Sequence, residues 1–227
     1  MKNHLTIAML VGLALSILGG TAYADSIPID NSSFETFNPL TATCGVGCHF
    51  NSGPIPGWQG TGGSFQPNAT FFSSIPDGSI VGYTNGGTIA QTLTSTVLPN
   101  TVYTMTAFVG HRLDGFSGTF TLALDTIQNG VTTTLCTVSG NALDFTPGTF
   151  QSQSCMFQSG SAVPDGDLYL LFTSGHTVQL DVDDVSLTTS AAPSVPEPSS
   201  LTLVGLGVIF LLAFLMFGKS RAIPLRA

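Results

Sequence analysis

Base is what this sequence has least of. Its 227 residues hold five Lys and Arg against 13 Asp and Glu. Lys2 stands near the N-terminus and Lys219, Arg221 and Arg226 near the C-terminus, so Arg112 is the sole Lys or Arg between them. All 13 acids fall between Asp25 and Glu197, opposed there by that one arginine. Nucleic acid and anionic lipid both require clustered Lys and Arg, so neither is expected as a partner. The acidity suits solubility and cation binding instead. Catalytic signatures are equally scarce. There is no His-Glu-x-x-His, no Gly-x-Ser-x-Gly and no glycine-rich phosphate loop leading into a helix. His49, His111 and His176 are scattered, no catalytic residue is assigned, and the protein is not expected to be an enzyme. A capped, sustained helical period is also missing from the middle of the chain.

Long apolar runs occur only at the two ends. Lys2, the apolar stretch Leu5 to Leu18 and the small-residue triplet Ala22-Tyr23-Ala24 form a secretory signal peptide over residues 1–24, with cleavage expected before Asp25. At the other end, a Pro/Ser-rich linker (191–200) carries Val195-Pro196-Glu197-Pro198. An uncharged run from Leu201 to Phe217 follows, roughly 25 Å long as a helix and so at the short end of what spans a bilayer. We expect a transmembrane helix over 201–218 and, by the positive-inside rule, a basic cytoplasmic tail over 219–227. Pro-Glu-Pro, an apolar span and a basic end, in that order, resemble a PEP-CTERM sorting signal. The resemblance implies a Gram-negative bacterium, processing by an exosortase near Pro196 to Pro198 and transient inner-membrane anchoring. It also implies a final location at the cell surface or in the extracellular matrix, associated with exopolysaccharide.

Residues 25–190 have the length of one domain with a proper core. Thr, Val, Phe and Tyr dominate, and Gly and Pro punctuate. Thr101 to Val109 alternates with Tyr103, Met105, Ala107 and Val109 on one face. Thr119 to Asp125 and Asp167 to Thr173 alternate in the same way. Further strands are expected at Ser64 to Phe72, Ser79 to Tyr83, Thr88 to Leu93, Val131 to Val138 and Phe150 to Phe157. Pro76-Asp77-Gly78, Asn85-Gly86-Gly87, Gln128-Asn129-Gly130 and Pro164-Asp165-Gly166 supply turns. Many short strands at this spacing predict an all-β antiparallel sandwich or barrel.

The last strand carries a phase jump. Val178, Leu180 and Val182 share a face, then the apolar positions move to Val185 and Leu187. A period of two changes parity only through a bulge or a twist, which falls on Asp183-Asp184 and turns one carboxylate inward or along the rim. A buried carboxylate needs a partner, and Arg112 or a metal ion would serve.

Asn31-Ser32-Ser33-Phe34-Glu35, Ile55-Pro56-Gly57-Trp58 and Val182-Asp183-Asp184-Val185-Ser186-Leu187 together resemble the galactose-binding-like jelly roll used by many carbohydrate-binding modules. That resemblance implies a jelly-roll β-sandwich, a carbohydrate ligand and a structural Ca2+ held between the first and last strands at Glu35, Asp183 and Asp184. Calcium chemistry suits those oxygens, and turn-capping by the same acids is the alternative.

Four cysteines in an exported chain favour disulfides and allow three pairings. The pairing read here is Cys44–Cys48, closing a small ring, with Cys136–Cys155 across a hairpin. Cys44-Gly45-Val46-Gly47-Cys48-His49 is one residue longer than the haem-attachment motif, so covalent haem is not expected. A sugar site needs flat aromatic faces beside hydrogen-bonding groups. Trp58, Tyr83 and the loop containing His111, Arg112, Asp114 and Phe116 are the candidates, with core packing the alternative for Trp58 and a surface ion pair the alternative for Arg112–Asp114. The expected role is a non-catalytic exported protein that binds exopolysaccharide or another glycan. A structural adhesin without sugar binding and a polysaccharide-modifying enzyme are the alternatives.

Overall fold

The computed structural model describes residues 24–192 and 207–209. The chain divides into two units, Met1–Ala192 and Pro193–Ala227. In the second, 207–209 are helical, and the rest of the expected membrane span lies outside the described residues, as do the signal peptide and Val195 to Pro198. Among the described residues no helix is long and apolar enough to cross a membrane.

The first unit is all-β and antiparallel. Its strands are β1 (Asp25–Ser26), β2 (Ala42–Gly45), β3 (Cys48–Asn51), β4 (Gln59–Gly60), β5 (Gly63–Gln66), β6 (Val81–Asn85), β7 (Thr88–Thr96), β8 (Thr101–Gly110), β9 (Thr119–Gln128), β10 (Val131–Asn141), β11 (Phe150–Gln158), β12 (Asp167–Ser174) and β13 (Gln179–Ala191). Eight form one sheet in the order β11-β8-β13-β6-β5-β3-β2, with β1 paired to β13. The other five form the second sheet in the order β10-β9-β12-β7-β4. The two sheets stack as a jelly-roll β-sandwich, the class the sequence predicted.

Alternation builds the core between the sheets. Tyr103, Met105, Ala107 and Val109 from β8 and Leu180, Val182, Val185 and Leu187 from β13 are buried against Phe120, Leu122 and Leu124 of β9 and Leu168, Leu170 and Phe172 of β12. At roughly 1.5–3 kcal/mol for each large apolar side chain, this layer is the main term holding the sheets together. Trp58 belongs to it. The indole is 5% exposed, stacks on Phe34 at 5.2 Å and approaches Phe172 at 5.6 Å. Its Nε1–H donates to the Asn31 carbonyl at 3.0 Å. Phe34 fits only because Gly82 lies beneath it, where a Cβ would come within 2.6 Å of the ring.

Three sequence expectations are corrected. The run Ser64 to Phe72 is not one strand. β5 ends at Gln66, because Pro67 and Asn68 break the ladder and the Asn68 side chain accepts from Thr70 N–H in a local turn. The linker begins later than expected, since β13 continues to Ala191, paired with β8 as far as Thr101. Cys136–Cys155 forms, with a Cα–Cα separation of 5.8 Å, but not across a hairpin. β10 and β11 are edge strands of opposite sheets, so the bond ties the two layers together at one side.

A candidate ligand pocket on the outer face of the larger sheet

The bulge in β13 creates the conditions for a site. Register shifts between Asp183 and Ser186, and Asp184 takes φ +44° to absorb the extra residue. Before the bulge, Leu180 and Val182 point into the sandwich, so Gln179, Asp181 and Asp183 point to the other side. Asp181 is paired with Tyr83 of β6 and Gln179 with Asn85, which puts all four on that outer face. The face is not open to solvent. A second apolar cluster covers it, built from Cys48, Phe65, Phe72, Val81 and Tyr83, with Cys44, Phe50, Phe71, Ile75 and Phe150 packed around. The segment after β5 folds back to supply Phe71 and Phe72, and Gly110 makes room, since a Cβ there would come within 2.8 Å of Phe72 and Phe150.

Arg112 lies inside this second layer, 8% exposed. Its Nε and Nη2 donate to both oxygens of Asp114 at 2.9 and 2.6 Å, and its Nη1 donates to Gln179 Oε1 at 2.7 Å. Gln179 Nε2 passes the chain on to Asp181 Oδ1 at 2.6 Å. The guanidinium also lies against three rings, with its carbon 4.6 Å from the centroid of Phe71, 5.4 Å from Phe65 and 5.6 Å from Phe116. Arginine suits this place because one planar group can hold a bidentate carboxylate and stack on aromatics together.

Three carboxylates respond differently to this setting. Partial burial pushes Asp114 up, but the hydrogen bonds and charge of Arg112 and the Phe116 N–H outweigh it and hold the group below its ordinary value. Asp181 is fully buried, and desolvation raises it to about 7 despite the charge of Arg112 and the bond from Gln179. Its second oxygen, Oδ2, is buried without a hydrogen-bond partner. Asp183 is likewise raised to about 7, first by desolvation, with Asp184 and Asp77 adding repulsion and two backbone N–H donors opposing.

Beside this chain is a pocket of about 200 Å³, lined by Cys44, Phe50, Phe65, Phe71, Tyr83, Asn85, Arg112, Phe116 and Gln179. Four of the six ligand candidates converge on it: Tyr83, Arg112 and Phe116 line it directly, and Asp114 fixes Arg112. His111 does not join them. It is buried, and its Nδ1 lies 2.9 Å from the Phe145 carbonyl, which makes that nitrogen the protonated one. Trp58 is on the far side of the larger sheet, in the main core, because its indole satisfies both its packing and its N–H there. The sequence reading missed Phe50, Phe65, Phe71, Asn85, Gln179 and Asp181. Pro67-Asn68 was the available signal, since a turn there returns Phe71 toward Phe65.

The cystine Cys44–Cys48 closes the β2–β3 turn beside the pocket. Glu35 and Asp183 both hold the 77–80 turn. Glu35 Oε1 accepts from the N–H groups of Ser79 and Ile80 at 2.7 and 2.6 Å. Asp183 Oδ2 accepts from Asp77 N–H at 3.0 Å and its Oδ1 from Asp184 N–H at 2.8 Å. The buried carboxylate at the bulge is Asp183, but it lies on the outer face of the sheet rather than turned into the sandwich, and its partners are main-chain amides rather than Arg112. Among the described residues no three His, Cys, Asp or Glu side chains gather as a metal-holding group.

The molecule is thus a jelly-roll sandwich with an aromatic pocket on the outside of one sheet. Residues 25–188 match the HpiC1-like family, described as HpiC1 cyclase, and the chain belongs to that family. Residues 194–219 match the PEP-CTERM protein-sorting motif, the signal of export and membrane-anchored sorting in Gram-negative bacteria. Among solved structures, the CBM22-1 xylan-binding domain of Paenibacillus barcinonensis Xyn10C is 13% identical and covers 77% of this chain and 100% of that one, at a TM-score of 0.45. The CBM22-1–CBM22-2 tandem domain of the same protein is 14% identical, covering 80% of this chain and 50% of that one, at 0.45. A structure described as "CBM4 structure and function" is 10% identical, covering 71% and 99%, at 0.42. No curated protein matches the chain.

Proposed function

We propose that this is an exported, non-catalytic extracellular protein that binds glycan in the aromatic pocket and is released near Pro196 to Pro198 by an exosortase, to associate with exopolysaccharide. The observation that carries the binding reading is the meeting of Phe65, Phe71, Phe116 and Tyr83 with Asn85, Gln179 and Arg112 around one cavity. Aromatic walls bind the carbon face of a sugar, and a few polar groups orient it. The deciding experiment is a glycan array probed with the purified protein, with and without chelator, beside Phe116→Ala. Binding that the substitution abolishes supports the reading, and an array without signal in either condition favours an adhesin.

Calcium at Glu35, Asp183 and Asp184 stays a proposal drawn from the jelly-roll resemblance. In its favour, Glu35 and Asp183 both reach the 77–80 turn, and the charges of Asp77 and Asp184 repel that of Asp183, which a cation would relieve. Against it stand the amide bonds to Glu35 and Asp183. A chelator that leaves the unfolding midpoint unchanged assigns these acids to turn-capping alone.

A second reading, as an enzyme, is favoured by the family's description and by Asp181. Asp181 is raised to about 7 and is bonded to Gln179, which lines the cavity, so a molecule that displaced that amide would meet a carboxyl able to act as an acid near neutral pH. Turnover of a pocket-bound compound that Asp181→Asn abolishes, with binding retained, would replace the non-catalytic reading.

A further inference from the structure

We infer that the group entering the pocket is the methyl-bearing tip of a sugar, either the C6 methyl of a 6-deoxyhexose or the methyl of an acetyl substituent, rather than a fully hydroxylated ring. The inference rests on the glycan reading and narrows it. Size is the first constraint. About 200 Å³ is below the range of pockets that enclose drug-sized ligands, so the cavity takes one small substituent or part of one ring.

Polar capacity is the second constraint, and the tighter one. Gln179 already accepts from Arg112 and donates to Asp181. Three Arg112 N–H groups are bonded to Asp114 and Gln179. The Tyr83 hydroxyl, the Asn85 amide and the two remaining Arg112 N–H groups are left to meet a ligand, against walls of Phe65, Phe71 and Phe116. A hexose pushed in whole would bury several hydroxyls without partners, and each carries a desolvation penalty. A methyl group carries none and gains contact with the rings. A sugar acid is disfavoured too, because the Arg112 charge is already paired with Asp114.

The test is titration calorimetry of the full-length protein in a detergent without sugar headgroups. L-Fucose is compared with L-galactose, which differs only by the C6 hydroxyl, and N-acetylglucosamine with N-formylglucosamine, which lacks only the methyl. The expected result is at least about tenfold tighter binding of the methyl-bearing member of one pair. Which pair responds distinguishes deoxy from acetyl. Loss of the preference in Phe116→Ala, with an unchanged unfolding midpoint, places it in this pocket. Equal or tighter binding of L-galactose and N-formylglucosamine overturns the inference and leaves the glycan reading standing. No binding of any of the four, where the array also gives no signal, overturns both.

Discussion

Arg112 shows how much one residue can organise when it has no substitute. It spans the loop after β8 and the start of β13, joining Asp114 to Gln179 and, through Gln179, to Asp181. Replacing it with Met should cost about 2–3 kcal/mol, the scale of charge-assisted bonds discounted for the exposed Asp114 end, read as a lower denaturant midpoint. Asp181 makes a prediction of opposite character. Its folded value of about 7 exceeds the ordinary 3.8, so the folded state holds the proton more tightly than the unfolded chain. Its stabilising effect is complete below about pH 4 and is lost as pH rises through 7. Asp183 acts over the same window, and burial raises Asp125 in the same direction. The domain should therefore unfold at a higher temperature at pH 5 than at pH 8, and Asp181→Asn should flatten that slope. A midpoint independent of pH over this range would refute the protonated carboxyl.

At this scale the sequence was legible where two patterns collided. The change of parity at Asp183-Asp184 located the bulge and a buried carboxylate, but not its direction: Asp183 is buried beneath the 77–80 turn on the outer face of the sheet. Gln179 and Asp181 were not legible as buried. Their alternation with Leu180 and Val182 is what a solvent-facing row also looks like, and only a second apolar layer over the sheet distinguishes the two.

Among elements, the edges of the sandwich carry the chief consequence. β10 is paired on one side only, to β9, and its residues are mostly exposed. Cys136–Cys155 holds it against β11 of the opposite sheet. Replacing both cysteines by Ala should lower stability by about 3 kcal/mol, the loop-closure scale for this separation, and speed hydrogen exchange along β10 before the core strands. The shorter ring of Cys44–Cys48 behaves differently. Opening it with Cys44→Ser and Cys48→Ser should reduce stability less, but weaken ligand binding, since Cys44 lines the pocket. A calorimetric affinity equal to that of the unaltered protein would show that the ring does not shape the cavity. The long strands β8, β9 and β12 were plain from their alternation. The 66–80 segment was not, because its phenylalanines read as ordinary core positions until a turn at Pro67-Asn68 folds them onto the outside of the sheet.

At the scale of the molecule, Pro-Glu-Pro, the apolar span and the basic end anticipated the match to the sorting motif, while the HpiC1-like match of residues 25–188 was not legible and neither was the pocket. Mass spectrometry of the secreted product should find an N-terminus at Asp25 and a C-terminus near Pro196 to Pro198, with all four cysteines oxidised. A product retaining residues 201–217 would count against exosortase processing.

Strand β13 is hydrogen-bonded to β8 along most of its length, to β6 near its start, and to β1 at Asp25↔Thr189 and Ser26↔Thr188. It is also the strand from which the chain leaves the sandwich. Any tug on the chain beyond Ala191 therefore runs along the axis of an interior strand and loads these bonds together, in shear, rather than opening them one by one. A domain wired this way should yield to pulling at its C-terminal end only at forces that break several ladder bonds at once, which force spectroscopy from that end would read as a single high unfolding step.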